Sequence, residues 1–446
     1  MTGFKAKRQP VHRGPAGWNT ILGPQAAPEQ LTHDTTADFV VIGAGFAGMA
    51  AARRLVELTP DSRIVVLDAG RVAEGASGRN SGFMIDLPHE LTSEDYAGAG
   101  DDKKMIALNR EAIKFLGKAV ERYQIDLNYF DPAGKVNGAA SDAALRHNAT
   151  YAEHLRLLGE NCELLDAKQM QELTGSPHYL GGLFTPGTVM LQPAGLIRGM
   201  AEGLTRDGVA LFENSPATEI RRNGAGWHVK TTKATISTAN VILTVNGHLE
   251  SFGVERGKLM QLFLFATMTP ELDANTTKTL GGQSRWGITP SDPMGTTMRR
   301  IDAGQGGNRI VTRTCAVVRP NMQTRESDLK RANAVMQRKF DQRFPQLAGM
   351  KMEHSWAGHL CLSLNGVSVA REIDTGVYSG CVQNGLGTAR GTLTGITAAE
   401  LAAGTSSNIS DHFTAECRPK QLLPEPIFSI GANAVLRYRE LKASSD

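Results

Sequence analysis

A glycine-rich turn between a strand and a helix is the feature that most constrains this fold. The apolar run Asp38–Ile42 predicts a buried strand, because it is short and rich in β-branched residues. Gly43-Ala-Gly-Phe-Ala-Gly48 follows it, and an alanine-rich helix continues from Met49. Arg63–Leu67 predicts a second strand, which ends at Asp68. A Gly-x-Gly-x-x-Gly turn in this context is typical of a dinucleotide-binding site.

The residues of this unit have separate physical roles. Gly43 makes the tight turn, Gly45 lets the backbone approach a pyrophosphate, and Gly48 lets helix and strand pack closely. The helix N-terminus offers free N–H groups and a positive dipole end to phosphates. Asp68 can accept hydrogen bonds from both ribose hydroxyls and would repel a 2′-phosphate, which disfavours NADP.

Composition and charge exclude several classes of protein. The chain has 446 residues, 48 of them basic and 45 acidic, and this balance argues against binding nucleic acid by phosphate neutralisation. Hydrophobic residues make up 41%, which excludes disorder as the main state. The longest apolar run, residues 259–268, is too short to span a membrane. The basic N-terminal stretch precedes no apolar segment, so we expect no secretory signal.

The cysteines indicate the compartment. There are five, they are scattered, and none forms a Cys-x-x-Cys pair. This pattern predicts neither a disulfide framework nor a metal site, and it favours a reducing environment. We therefore expect a cytoplasmic protein without a bound metal.

Two further segments favour FAD over NAD. Residues 69–83 combine small residues with hydrogen-bond donors that suit a long cofactor. Gln383–Thr388 is a second glycine turn, placed between the predicted strand Gly376–Val382 and a helix whose N-terminus could face the negative region of a reduced flavin. Two such turns, at opposite ends of one chain, suit a cofactor with a dinucleotide end and a ring end.

Several segments together resemble a known family. These are DFVVIGAGFAGMAAA, LDAGRVAEGASGRNSGF, ANVILTVNGH, HSWAGHLCLSL and GVYSGCVQNGLGTARGTLTG. In this order they are similar to the D-amino-acid oxidase-type FAD-dependent oxidoreductases, and most similar to the γ-glutamylputrescine oxidase-like branch. The resemblance implies an α/β fold: a Rossmann-type, three-layer FAD-binding domain of the glutathione-reductase kind, with an inserted mixed-sheet substrate domain.

The resemblance also implies a domain division. An N-terminal arm covers residues 1–36, with an anchored segment and a frayed tail as equal alternatives. The FAD-binding domain is discontinuous, over 37–95, 186–258 and 355–410. The substrate domain covers 96–185 and 259–354, and a C-terminal tail covers 411–446.

The positions that match the family's cofactor site follow from the same resemblance. They are expected to hold FAD, and they are Gly43, Ala44, Gly45, Phe46, Ala47, Gly48, Asp68, Ala69, Ser77, Arg79, Asn80, Ser81, Gly82, Ala217, Asn246, Gly247, Gly385, Leu386, Gly387 and Thr388.

Three departures from the family pattern bear on the chemistry. Leu386 stands where the family usually has histidine. Ala389 stands where sarcosine oxidases have the lysine that binds the substrate carboxylate, which disfavours a simple α-amino acid. The position that carries covalent FAD in those enzymes falls near Gly358 rather than Cys361, so we expect non-covalent FAD.

No residue can be assigned as catalytic from the sequence. Four residues are candidates for the substrate cavity, each with a competing structural explanation. Trp356 could form a pocket wall or pack in the core, and His359 could line the cavity or be a structural histidine. Arg299 and Arg300 could bind an acidic substrate group or form a solvated pair.

The resemblance implies oxidation of a C–N bond in an amine or N-substituted amino acid. A hydride would pass to flavin N5, and water would hydrolyse the imine; the electron acceptor would be O₂ or an electron carrier. Two alternatives remain. One is another flavin reaction, such as 2-hydroxy acid dehydrogenation or amine N-oxidation, and the other is a non-catalytic FAD-binding subunit.

Overall fold

The computed structural model describes residues 3–88, 102–292 and 294–443, which contain twenty strands and eleven α-helices. The strands are β1 (Gly3–Lys5), β2 (Thr35–Ile42), β3 (Ile64–Leu67), β4 (Phe83–Met84), β5 (Phe130–Asp131), β6 (Lys135–Ala139), β7 (Glu163–Asp166), β8 (Gly181–Thr185), β9 (Val189–Leu191), β10 (Ala210–Phe212), β11 (Glu219–Asn223), β12 (Gly226–Lys230), β13 (Thr235–Leu243), β14 (Leu259–Met268), β15 (Trp286–Pro290), β16 (Thr297–Ile301), β17 (Arg309–Val318), β18 (His354–Ser363), β19 (Val369–Asp374) and β20 (Val377–Cys381). The helices are α1 (Gly17–Thr20), α2 (Phe46–Leu58), α3 (Asp102–Tyr123), α4 (Asp142–Leu158), α5 (Ala167–Thr174), α6 (Pro193–Arg206), α7 (Ala274–Leu280), α8 (Glu326–Arg343), α9 (Ala389–Ala402), α10 (Asn408–Thr414) and α11 (Ile427–Lys442).

The first sheet forms the middle of three layers. Its parallel strands run in the order β10-β3-β2-β13-β20, and β12, β11 and β1 continue it as an antiparallel meander from the first half of β13. Alternate residues of β2 point to opposite faces of the sheet, and both faces are buried beneath a further layer. Val41 packs in the cluster that contains α2 and α9, whereas Val40 packs in the cluster that contains Trp227 of the meander. The predicted three-layer FAD-domain fold is confirmed.

The second sheet is mixed, as predicted for the substrate domain. The strand order is β18-β14-β17-β16-β15-β6-β8-β7. Strands β15 and β6 are parallel, and all other neighbouring strands of this sheet are antiparallel. Helix α8 covers one face with Met336 and Phe340. The remaining small sheet has the order β4-β9-β5.

One predicted domain boundary differs from the structure. Strand β18 pairs with β14 over its whole length, from His354 to Ser363, so residues 355–363 extend the second sheet and not the FAD-binding domain. The sheet to which a strand belongs is decided by its backbone hydrogen bonds, here to β14, and not by its proximity in sequence to β19 and β20. The boundary at 95/96 lies outside the described residues.

The N-terminal arm is anchored and not frayed over its described residues. Trp18 is fully buried, and its Nε1 donates to the Asn80 carbonyl at 2.8 Å. Arg13 Nε donates to the Thr324 carbonyl at 2.9 Å, and β1 pairs with β11. The arm therefore joins the loop that contains Asn80 to the segment that follows β17 of the second sheet.

Helix α11 covers part of the edge of β17. Strand β17 pairs with β16 only up to Arg313, and no strand among the described residues pairs with its last residues on that side. Asn433 Oδ1 accepts the Val318 N–H and Glu440 Oε1 accepts the Ala316 N–H, both at 3.0 Å. The side chains of α11 thus satisfy backbone donors that a neighbouring strand would otherwise pair.

Candidate functional site

The first glycine turn has the geometry that its sequence predicts. Gly43 has φ +108°, in the region that only glycine adopts readily, and its N–H donates to the Leu67 carbonyl at 2.7 Å. A Cβ on Gly48 would lie 1.7 Å from the Gly43 carbonyl oxygen, so helix and turn are in direct backbone contact. A Cβ on Gly45 would meet only Ser77 Cβ, at 3.9 Å, because this glycine faces open space.

Asp68 closes the turn at the end of β3. Its Oδ2 accepts the Ala44 N–H at 2.8 Å and its Oδ1 accepts the Gly70 N–H at 2.9 Å. These two bonds fix the carboxylate at the edge of the parallel sheet. Burial raises the pKa of Asp68, and both backbone bonds oppose that shift by stabilising the charged form.

The cofactor loop, residues 75–82, is folded by its own polar groups. Asn80 Nδ2 donates to the Ser77 carbonyl at 2.6 Å, and Asn80 Oδ1 accepts the Gly82 N–H at 2.8 Å. Arg79 donates to the carbonyls of Glu74 and Gly14 at 2.7 and 2.9 Å. Burial lowers the pKa of Arg79 to about 10. Much of the donor capacity of Arg79 is therefore used inside the protein.

A cavity of about 590 Å³ extends from the first glycine turn to the second sheet. The predicted cofactor residues that line it are Gly43, Gly45, Phe46, Ala47, Asp68, Ala69, Ser77, Arg79, Asn80, Ser81, Ala217, Asn246, Gly385 and Gly387. The predicted residues outside its wall are Ala44, Gly48, Gly82, Gly247, Leu386 and Thr388. Two of these six make contacts that support the site: Thr388 Oγ1 donates to the Phe83 carbonyl at 2.8 Å, and the Ala44 N–H donates to Asp68 Oδ2.

The cavity wall has features that fit a dinucleotide cofactor. Helix α2 begins after Gly45 without a side-chain cap, so its first N–H groups are available to phosphate. Asn246 lies on the wall, and its buried Oδ1 has no hydrogen-bond partner among the described residues. The second turn, with Gly385 at φ +88°, places the start of α9 at the same cavity.

Three of the four substrate-cavity candidates lie elsewhere. Trp356 is fully buried and donates from Nε1 to the Arg79 carbonyl at 3.0 Å. Arg299 donates to the Gly82 and Leu191 carbonyls at 2.7 and 2.8 Å, and Arg300 donates to the Gly281 carbonyl. All three are structural residues outside the cavity wall, contrary to the cavity hypothesis, and the arginines are not a solvated pair, because each is nearly fully buried.

His359 does line the cavity. Its Nε2 lies 2.9 Å from Gln261 Oε1, and its ring centroid lies 6.5 Å from that of His12 in the N-terminal arm. Burial lowers the pKa of both imidazoles to about 3. Both rings are therefore neutral at physiological pH.

Among the wall residues that sequence reasoning missed, Arg313 and His12 bear most on the chemistry. Arg313 lies on β17 opposite Ala266 of β14. Its guanidinium makes no hydrogen bond or ion pair with any residue that the structure describes, and burial lowers its pKa to about 10. An arginine in the interior of a strand whose only other charged residue is its first, Arg309, was the available indication. Nothing in the local sequence points to His12, because the arm reaches the site only through tertiary contacts.

Cys361 lies outside the wall of the cavity that is expected to hold the flavin. It is fully buried, and it packs against Gly247, where an added Cβ would lie 2.8 Å from the Cys361 Cβ. Burial raises its thiol pKa well above the usual value, which disfavours the nucleophilic thiolate.

No helix within residues 3–88, 102–292 and 294–443 is long and apolar enough to cross a membrane. The same part of the chain contains no group of three or more His, Cys, Asp or Glu side chains that could hold a metal ion.

Comparisons with known proteins identify the family. The oxidoreductase OrdL of Haemophilus influenzae is 27% identical over 391 residues, which cover 85% of this chain and 86% of that protein. Gamma-glutamylputrescine oxidoreductase of Escherichia coli is 24% identical over 379 residues, covering 84% and 86%. The crystal structure of glycine oxidase from Geobacillus kaustophilus shares the fold, with a TM-score of 0.67, 16% identity, and coverage of 84% of this chain and 96% of that one. Residues 38–401 match the model of the DAO family, described as FAD dependent oxidoreductase. The chain therefore belongs to the DAO family of FAD-dependent oxidoreductases.

Proposed function

We propose that this protein oxidises a C–N bond of an amine or N-substituted amino acid that carries an anionic group. The imine product would be hydrolysed by water, and O₂ or an electron carrier would reoxidise the cofactor. One observation supports this proposal above the others: a single cavity joins the dinucleotide turn and Asp68 to a wall that carries the unpaired cation Arg313. The five unpaired cysteines are in keeping with a cytoplasmic location.

The residues of the first sheet hold FAD, which supplies the two-electron acceptor when bound. Asp68 would accept hydrogen bonds from the ribose hydroxyls, and its two backbone donors fix its carboxylate at the cavity wall. Gly45 leaves room for the pyrophosphate beside the uncapped start of α2. The start of α9 would stabilise negative charge at the ring end of the cofactor through its helix dipole.

Arg313 binds the anion of the substrate. A desolvated cation without a partner is costly, and a carboxylate that docks against it removes much of that cost. The described carboxylates on the cavity wall are Asp68 and Glu74, which lie at the dinucleotide end. A substrate anion therefore meets no like charge near Arg313.

The amine binds without its proton. The neutral His12 and His359 rings of the cavity provide no negative charge to stabilise an ammonium. The nitrogen lone pair is then available to assist loss of hydride from the adjacent carbon. No catalytic base is required by this arrangement.

We expect the substrate to extend from the ring end of the cofactor, near the start of α9, toward β17. Ala389, at the start of α9, is buried and offers no charge near the ring end of the cofactor. The cation comes instead from β17 in the second sheet. We therefore expect the anionic group to lie away from the reacting carbon, so that extended amines react better than glycine, sarcosine or D-alanine.

Anaerobic bleaching of the protein-bound flavin tests the proposal. The panel would contain N-acylated diamines and N-substituted amines that end in a carboxylate, the matching uncharged amines, the three small amino acids, and 2-hydroxyglutarate. We expect the extended anionic amines to bleach the flavin fastest. Bleaching by 2-hydroxyglutarate without bleaching by any amine would contradict the proposed function, and fastest bleaching by sarcosine or D-alanine would contradict the extended substrate.

Asp68→Ala is expected to weaken FAD binding at least tenfold while the fold is retained. The variant loses hydrogen bonds between a charged acceptor and the ribose, each worth about 1.5–3 kcal/mol. Fluorescence titration of apoprotein with FAD measures the change. Asp61→Ala, in the exposed turn before β3, is the matched control. Equal FAD affinity in the two variants would remove Asp68 from the ribose site.

Denaturation is expected to release intact FAD, leaving a colourless polypeptide. Buried Cys361 offers no thiolate to the flavin, as its position and raised thiol pKa require. Acid precipitation followed by absorbance of pellet and supernatant checks this result. Colour that stays with the pellet in the wild type but not in Cys361→Ser would show a covalent link at that residue.

A further inference from the structure

Helix α11 presents an apolar face to solvent. Four large side chains on this face remain mostly exposed: Ile427 (65%), Ile430 (67%), Tyr438 (68%) and Leu441 (73%). With Ala434 they follow a spacing of three, four, four and three residues, which places them on one side of a helix. We call these five residues the outer stripe. A neighbouring side of the helix, with Asn433 and Glu440, binds the edge of β17.

The outer stripe is symmetric about its centre. Ile427 and Leu441 lie seven residues on either side of Ala434, and Ile430 and Tyr438 lie four residues on either side. If two copies of α11 cross antiparallel at Ala434, each large residue therefore meets the residue at its mirror position. The small Ala434 side chain meets itself and lets the two helices approach closely. Self-matching of one patch under a two-fold axis is the condition for an isologous interface.

The charges at the two ends of α11 fit the same arrangement. Glu425 is exposed just before the helix, and Lys442 is exposed in its last turn. In the antiparallel crossing each Lys442 lies beside Glu425 of the second copy, and the two helix dipoles oppose each other favourably. A parallel crossing would instead bring Arg439 and Lys442 of both copies together. The charges therefore select the antiparallel pair.

We propose that α11 is a self-association surface, through which two copies of this chain pair about a two-fold axis at Ala434. Contiguous apolar surface of this kind on a soluble domain commonly marks an interaction site. A single helix pair buries less than the roughly 1,200–2,000 Å² of a standard interface, so the dimer depends on concentration. The proposal is independent of the substrate, because none of these residues lines the cofactor cavity.

Sedimentation velocity of the FAD-loaded protein, from roughly 1 to 100 µM, tests the proposal. We expect the mass to rise from one chain to twice that value across this range. Tyr438→Glu and Ile430→Glu are expected to hold it at one chain throughout, with unchanged thermal unfolding and flavin reduction. Leu157→Glu, at an equally exposed leucine on α4, is the matched control and is expected to dimerise normally.

Charge reversal tests the orientation. Glu425→Lys and Lys442→Glu should each raise the dimer dissociation constant several-fold, on the order of fivefold, and the combined reversal should restore it. In a Cys417→Ser background, Ala434→Cys is expected to give a disulfide-linked dimer on mild oxidation, and Leu157→Cys is not. One-chain mass at every concentration would overturn the proposal. So would a dimer that survives Tyr438→Glu, or binding of the one-chain protein to phosphatidylglycerol vesicles through α11.

Discussion

An Arg313→Met variant is expected to lose about a hundredfold in kcat/KM for the best anionic amine. The charge pair between partly buried Arg313 and the substrate anion is lost, and the anion is left without a partner in the cavity, which costs about 2–5 kcal/mol. Methionine keeps a long, flexible side chain, so the cavity wall remains filled. For the matching uncharged amine we expect little loss or a gain, because no cation then needs a partner.

Stopped-flow reduction under anaerobic conditions, followed by mixing with oxygen, separates the possible roles of Arg313. If Arg313 binds the substrate, Arg313→Met has a higher apparent Kd for the anionic amine, and Arg313→Lys recovers part of the lost affinity. Arg309→Met is the matched control, since Arg309 lies on the same strand, ion-paired to Glu353 and outside the cavity wall. Normal flavin reduction combined with slow reoxidation by O₂ would show that Arg313 serves the oxygen reaction and not the substrate.

Alanine at Gly48 and at Gly45 is expected to separate folding from cofactor binding. At Gly48 the new methyl group would lie 1.7 Å from the Gly43 carbonyl oxygen, so α2 must move away from the turn, at a cost of at least about 3 kcal/mol. At Gly45 the methyl group meets nothing closer than 3.9 Å, but it occupies space expected for the pyrophosphate. Gly48→Ala should therefore lower the stability of the apoprotein, and Gly45→Ala should lower only its affinity for FAD.

Thermal unfolding of both apoproteins and titration with FAD measure these two effects. Gly23→Ala is a useful control, because a Cβ at this position of the N-terminal arm meets nothing within 4 Å and the residue lies outside the cavity wall. Wild-type stability of Gly48→Ala would contradict the contact between α2 and the turn. Wild-type FAD affinity of Gly45→Ala would place the pyrophosphate elsewhere.

The parts of the site built from local sequence could be predicted, and the parts built from distant contacts could not. The unit from β2 to Asp68 depends on turn geometry and on apolar runs that are visible within about thirty residues. Arg299 was misjudged because the carbonyls that satisfy it, on Gly82 and Leu191, are remote in sequence. A buried arginine with such partners resembles a surface arginine until the chain is folded.

The same reasoning explains the missed cation and the shifted boundary. Whether Arg313 faces the cavity or solvent depends on the register of β17 against β14, which contains an irregularity between Leu264 and Phe265. A shift of one residue reverses the face on which every later side chain lies. Likewise, the sheet to which β18 belongs is decided by its pairing with β14, which no local pattern of β18 encodes.

The anchored N-terminal arm has a consequence for the time at which the site forms during synthesis. Residues 9–12 supply part of the cavity wall, and Arg13 is held by the Thr324 carbonyl, 311 residues further along the chain. The arm therefore leaves the ribosome long before its binding partner exists. Contacts of such long sequence separation form late in folding. The complete cavity is consequently assembled only after most of the chain has been translated, so the nascent polypeptide acquires its full affinity for FAD as one of its last steps of maturation.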